Sequence, residues 1–344
     1  LQKKLTTEIM EKTNRKKLLV LRFSALGDVT MIAPILQEFI QQNPNIEVYV
    51  ASRPFMGNIF KQFPQIKFIP VDLNNKYKGF FSLFKLYHDL KKHNFDYVAD
   101  FHNVIRSKII TALFRLNGTK TATLDKGRAE KKALVHQENR VFKQLKLTTE
   151  RYADVLRQLG FKLNLTHHIK PKSIKEPKSI GIAPFAAFTS KMYPIEKMKI
   201  VTKNLAENGY KIYLFGGGKT ETDELKSWEK FNHNITSLAG TVSFEEELQA
   251  IAKLEAMISM DSANMHLASL MGTRTISIWG GTHPYAGFLG YGQAMEDVIQ
   301  DETLKCRPTS IFGKDPKGFE NFDYFQNLSA EDVYLQIVKR LENL

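Results

Sequence analysis

LVLRFSALGDVTM, residues 19–31, runs from an apolar segment through a short Ser-Ala-Leu-Gly corner into a helical pattern. Past the corner, Met31, Ile32, Ile35, Leu36, Phe39 and Ile40 recur at helical spacing. A buried strand that turns directly into a helix is the first half of a βαβ unit. Asp28 stands just after Gly27, in the first helical turn. A carboxylate there is favourable against the helix dipole. The same place, at the carboxyl end of a strand, is where open α/β sheets bind ligands. Asp28 is therefore either a capping residue or a proton acceptor facing a cleft.

Working outward, the alternation continues. Strands are expected at 17–23, 47–52, 67–71, 97–101 and 121–124, and helices at 29–41, 55–62, 80–93, 104–116 and 149–159. The polar stretch 164–179, with Pro171 and Pro177, interrupts the pattern and reads as a linker. Alternation then resumes, with strands at 179–184, 211–215, 235–238, 256–260 and 275–279. Helices follow at 195–208, 222–231, 244–253, 262–271 and 330–342. Gly209 and Gly272 fall where helices should end. The expected architecture is α/β, with two Rossmann-like doubly wound parallel-sheet domains. The expected division is a polar extension (1–16), a first domain (17–165), a linker (166–178) and a second domain (179–344). The C-terminal helix, 330–342, is the element free to pack back on the first domain.

With 344 residues, of which 43% are hydrophobic, the chain is long enough for two cores. A single cysteine, Cys306, excludes an intramolecular disulfide and fits a reducing compartment. No apolar run is long enough to span a membrane, and the opening LQKKLTTEIMEKTNRKK lacks the apolar core of a secretion signal. The net charge of +13 is unevenly spread. Residues 1–170 hold 30 Lys and Arg against 14 Asp and Glu, and the remainder hold 19 against 22. The basic half suits an anionic partner. No motif for reading nucleic acid accompanies it.

Three segments carry candidate chemistry. In ISMDSANMHLASLMG (258–272) a strand ends before Asp261, placed at a helix N-cap. Small Ser262 and Ala263, with Asn264, leave backbone N–H groups open to a pyrophosphate, and His266 lies one turn in. An ordinary capped helix reads equally well locally. In IGIAPFAAFTSKMYP (180–194) a loop after a strand carries Thr189, Ser190 and Lys191, and the ammonium suits a phosphate. In IYLFGGGKTETDEL (212–225), Gly218-Lys219-Thr220 ends like a Walker A loop. The required earlier glycine is replaced by Tyr213, so that reading fails. Gly217 still permits close ligand approach, and Glu221 suits ribose hydroxyls or a helix start. The chain shows no GxGxxG and no His/Cys cluster at metal spacing, so no metal and no cofactor is expected.

LRFSALGDV, APFAAFTSKMYP, FGGGKTE and SMDSANMHLASLMGT…ISIWGGTHP, in this order, resemble glycosyltransferase family 9, the bacterial heptosyltransferases of lipopolysaccharide core synthesis. The resemblance spans the chain from about residue 17 onward. It implies a GT-B fold, with two domains facing across a cleft, and inverting, metal-independent transfer. It implies that Asp28 is the general base and that Lys191 contacts the donor phosphates. Glu221 would hold the ribose, and Asp261, Ser262, Ala263 and His266 the pyrophosphate and sugar. Five positions depart from the family pattern: Ala186 and Ala187 replace a threonine pair, Ser262 and Ala263 turn D-T-G into D-S-A, and Tyr193 replaces a tryptophan.

The implied reaction moves a sugar, heptose from ADP-heptose, onto the lipopolysaccharide inner core or a related acidic glycan. The partners are then a nucleotide-sugar donor, a lipid-anchored acidic acceptor and an anionic membrane surface, with no nucleic acid. Lys76, Lys78, Arg106, Arg128 and Lys131 are the candidate acceptor contacts. The implied location is cytoplasmic, at the inner face of the bacterial inner membrane. The alternatives are a GT-B-type nucleotide-sugar epimerase and a non-catalytic nucleotide or carbohydrate binder.

Overall fold

A computed structural model describes residues 15–168 and 170–342. Of the expected extension, residues 1–14 lie outside the described part. β1 (Lys16–Leu21) has Leu18, Leu19, Val20 and Leu21 fully buried. A continuous apolar strand of this kind belongs in the middle of a parallel sheet covered on both faces. It pairs in parallel with β2 (Ile46–Ser52) on one side and β4 (Tyr97–Asp100) on the other. β3 (Ile66–Pro70) and β5 (Lys120–Thr123) complete the order β3-β2-β1-β4-β5.

The second sheet is also parallel, in the order β11-β10-β9-β6-β7-β8. Its members are β6 (Glu176–Ala183), β7 (Lys211–Leu214), β8 (Ile235–Ser237), β9 (Leu254–Met260), β10 (Arg274–Trp279) and β11 (Val298–Gln300). Two doubly wound parallel-sheet units are thus present. Strand order reverses between β1 and β4 in one sheet and between β6 and β9 in the other, so each unit has a topological switch point.

The boundaries differ from expectation in three places. The first unit holds residues up to Lys126 together with Thr148–Leu165, whereas Gly127–Leu147 groups with the residues from Thr166 onward. Leu134 and Leu145 bury against Ala286, which draws the segment into the second unit. It contains a helix, Arg128–Leu134, that the sequence pattern did not indicate, because a basic run masks the apolar spacing. Second, the C-terminal helix Ala330–Glu342 joins the core of the second unit. Val333, Ile337 and Leu341 lie in the core that β6, β7 and β9 share with the helix Ile195–Glu207. Third, β6 starts at Glu176, inside the expected linker, and β11, only three residues long, was not foreseen. Gly209 and Gly272, at φ +82° and +70°, do terminate their helices.

Candidate functional site

In the first unit, the chain leaves β1 through Arg22 and enters the helix Leu26–Gln42 at the β1/β4 switch point. Asp28 is in the first turn, with about a quarter of its side chain exposed. Its Oδ2 is held by the Arg22 guanidinium and, at 3.4 Å, by the Ala25 N–H. Its Oδ1 lies 3.5 Å from the Tyr152 hydroxyl. Arg22 is buried and aimed by two carbonyls, Ser24 O (2.7 Å) and Phe101 O (2.8 Å). Phe101 follows β4, so the arginine ties both strand ends to the carboxylate. Burial raises the Tyr152 phenol far above its usual range, which keeps it a neutral donor.

His102 completes this corner. Its Nδ1 accepts from the Phe23 N–H (3.4 Å), which leaves the ring proton on Nε2, 3.5 Å from Ser24 Oγ. Burial, then the Arg22 and Lys126 cations, push its pKa down to about 3. Asp100, fully buried, accepts from the His102 N–H (2.9 Å), the Asn103 N–H (2.8 Å) and Ser107 Oγ (3.0 Å), fixing the turn that carries the ring.

Because folded His102 stays neutral while an unfolded histidine protonates near pH 6.5, the unfolded state binds more protons between those limits. Stability therefore falls as pH drops from about 6.5 toward 3. His283, also depressed to about 3 by burial and by Arg307 and Arg140, adds to the same trend. His102→Gln should show a shallower loss of Tm with acid than the wild type, by about one titrating group. Parallel acid limbs in melting curves taken across that range would exclude the assignment.

In the second unit, Lys191 and Asp261 meet at the β6/β9 switch point, Nζ to Oδ2 2.9 Å, both largely buried. Thr282 Oγ1 donates to the same Oδ2 at 2.8 Å. Asp261 is not the helix cap expected from the sequence. Ser262 is the N-cap of Ala263–Leu270, and Asp261 is turned back toward the lysine. Ser262, Ala263 and Asn264 are partly exposed at the helix start, whereas His266 is buried behind them.

Thr189 is exposed, but the Ser190 hydroxyl turns inward onto the Gly313 carbonyl. Gly313, at φ +99°, leaves the Lys191 stem room to pass. A Cβ on Gly280 would fall 2.1 Å from the Ser190 carbonyl oxygen, so only glycine lets β10 exit beside this loop. Arg307 fixes that exit by donating to the carbonyls of Trp279 and Thr282, both at 3.0 Å, and of Gly280. Burial lowers its pKa to about 10. Ala186, where the family pattern has threonine, packs partly buried against the core. Tyr193 is buried and donates to Leu328 O at 3.0 Å.

Glu221 caps its own helix, Gly218–Trp228, accepting from the Gly217 N–H at 2.8 Å. Of the expected acceptor contacts, Lys78 and Arg106 are exposed on the first unit, and Lys76 is exposed but paired with Asp89 at 3.0 Å. Arg128 and Lys131 belong to the second unit, contrary to expectation. Lys131 is buried, its ammonium 4.3 Å from the Phe288 ring centroid, so it presents no free charge to an anion. The sequence reading did not single out Arg22, His102, Tyr152, Thr282, Gly313 or Arg307. Arg22 stood inside the quoted motif with Ser24 and Asp28, but the Phe101 carbonyl that also fixes it follows β4, far along the chain. Among the described residues, no group of three or more His, Cys, Asp and Glu could hold a metal ion.

Two doubly wound parallel-sheet units, each with its own switch point, make up a fold of GT-B type. The model of glycosyltransferase family 9 (heptosyltransferase) matches residues 83–309, and the chain belongs to that family. It is 25% identical to lipopolysaccharide heptosyltransferase 1 of Campylobacter coli over 94% of this chain and 98% of that protein. The fold is similar to Escherichia coli heptosyltransferase WaaC with ADP, with TM-score 0.69, 19% identity, and coverage of 94% of this chain and 99% of that one. It is also similar to a family 9 glycosyltransferase of Veillonella parvula, with TM-score 0.70, 18% identity, and coverage of 96% and 98%.

Proposed function

We propose that the protein transfers heptose from ADP-heptose to an acidic, lipid-anchored saccharide of the lipopolysaccharide inner core type, with inversion at the anomeric carbon. The observation that carries this reading is the Lys191–Asp261 pair beside the open N-terminus of Ala263–Leu270. A lysine and free amides at one place suit a diphosphate. The names of the relatives supply the heptose and the lipopolysaccharide.

In the reaction, the acceptor oxygen attacks the anomeric carbon and the bond to the diphosphate breaks, its electron pair leaving with the phosphate oxygen. Lys191 and the amides at Ser262–Asn264 take up the charge that develops there. Glu221 holds the ribose, and Gly217 and Thr189 lie on the loops that follow β7 and β6. Asp28 receives the acceptor's proton. A carboxylate is a weak base for an alcohol, so the proton moves late, as the new bond forms. Arg22 occupies one carboxylate oxygen, leaving Oδ1 to accept. Lys78 and Arg106 are the exposed cations offered to the acidic acceptor. The epimerase alternative uses no acceptor and gives these cations no task.

A thermal-shift panel of ADP, UDP, GDP and dTDP tests the donor. ADP at a hundredfold over Kd should stabilise the fold by about 2.7 kcal/mol, and the other three should do so clearly less. An equal or larger shift with UDP would overturn the ADP-heptose assignment.

A further inference from the structure

The helix Ser82–Lys91 buries Leu83, Leu86, Tyr87 and Leu90 in the first unit's core. Its N-terminal end does the opposite. Phe80, Phe81 and Phe84 are 57%, 85% and 43% exposed. Their rings touch one another, with centroids 5.8 Å apart (Phe80–Phe81) and 6.5 Å apart (Phe80–Phe84). Three adjoining aromatics in water are costly, because apolar surface gains free energy on leaving water.

The tip is held in place from behind. Ser82 Oγ donates to Gly79 O at 2.6 Å, and the Leu83 and Phe84 N–H groups donate to the carbonyls of Phe80 and Phe81. Below it, Asp89 accepts from the Tyr77 hydroxyl at 2.9 Å and pairs with Lys76 and Lys92. Asp89 is the only acidic residue between 73 and 95, and it is already neutralised. Lys78 and Lys85 are exposed beside the phenylalanines.

We propose that this tip enters the interfacial region of an anionic lipid bilayer, with Phe80, Phe81 and Phe84 among the acyl chains and Lys78 and Lys85 against the headgroups. Lysines interleaved with exposed aromatics and without acidic residues are the composition of a membrane-surface element. Protein interfaces, by contrast, are depleted in lysine. No helix of the described residues is long and apolar enough to cross a membrane. The surface draws its purpose from the lipid-anchored acceptor proposed above, but its test uses neither donor nor acceptor.

The full chain is floated with vesicles of phosphatidylethanolamine and phosphatidylglycerol, and with vesicles of phosphatidylcholine. The wild type should partition onto the anionic vesicles and be released from them by salt. F80S/F81S should bind them at least about tenfold more weakly, with unchanged Tm and unchanged thermal shift by ADP. K78E/K85E should bind the anionic vesicles weakly at any salt concentration. Absence of wild-type binding, equal binding by F80S/F81S, or equal wild-type affinity for neutral vesicles would each overturn the proposal. So would a wild-type dimer in sedimentation that F80S/F81S converts to monomer, because the surface would then belong to a second copy. Loss of transfer activity in every assay, with vesicle binding intact, would count against the reaction proposed above and not against this surface.

Discussion

Asp28→Asn should lower kcat by about 10²- to 10⁴-fold, the usual contribution of a positioned general base, with little change in donor KM. Asparagine preserves shape and an acceptor oxygen for Arg22, which keeps its bonds to Ser24 O and Phe101 O. Asp28 is partly exposed and so is not a buried charge in the full sense, and the stability cost should be about 1 kcal/mol. Steady-state kinetics beside a melting curve separate the two effects. A folded variant that turns over within a few-fold of the wild type removes Asp28 from the proton-accepting role. A fall in activity that merely tracks a large loss of Tm would show the residue to be structural.

Lys191→Met should lose about 10²- to 10³-fold in turnover, the scale set by removing one preorganised donor from a developing charge. Unlike Asp28→Asn it should also destabilise strongly. Asp261 is buried and would keep only Thr282 as a partner, and breaking a buried pair from one side costs about 3–5 kcal/mol. The double variant Lys191→Met/Asp261→Asn removes the stranded charge. It should recover most of the lost Tm and none of the lost turnover. Recovery of both together would mean that Lys191 serves the fold alone.

These two variants probe what was differently visible in the sequence. Asp28 was legible because it lies within one local motif: an apolar run, a corner and a helix. Lys191 was legible as a lysine on a loop after a strand. Its pairing with Asp261, 70 positions on, was not legible, and Asp261 read as a helix cap because that is the commonest local use of an aspartate before a helix. Lys131 shows the same limit from the other side. In RAEKKAL it looks like one more solvated cation, yet the segment packs on Ala286 and carries its ammonium under the Phe288 ring. The exposed phenylalanines were hidden too, because spacing alone cannot tell an aromatic on the buried face of a helix from one just before it begins.

By itself, the sequence determined the class of fold, the two-sheet alternation and the family. Those features depend on periodicity and on short motifs, which act between residues close along the chain. Tertiary structure alone decided which unit residues 127–147 join, that the last helix covers the second core, and that Arg22, Tyr152 and His102 surround Asp28. Those outcomes depend on which strand ends lie side by side. Sheet order sets that adjacency by bringing β4 next to β1 and β9 next to β6, and no local pattern encodes it.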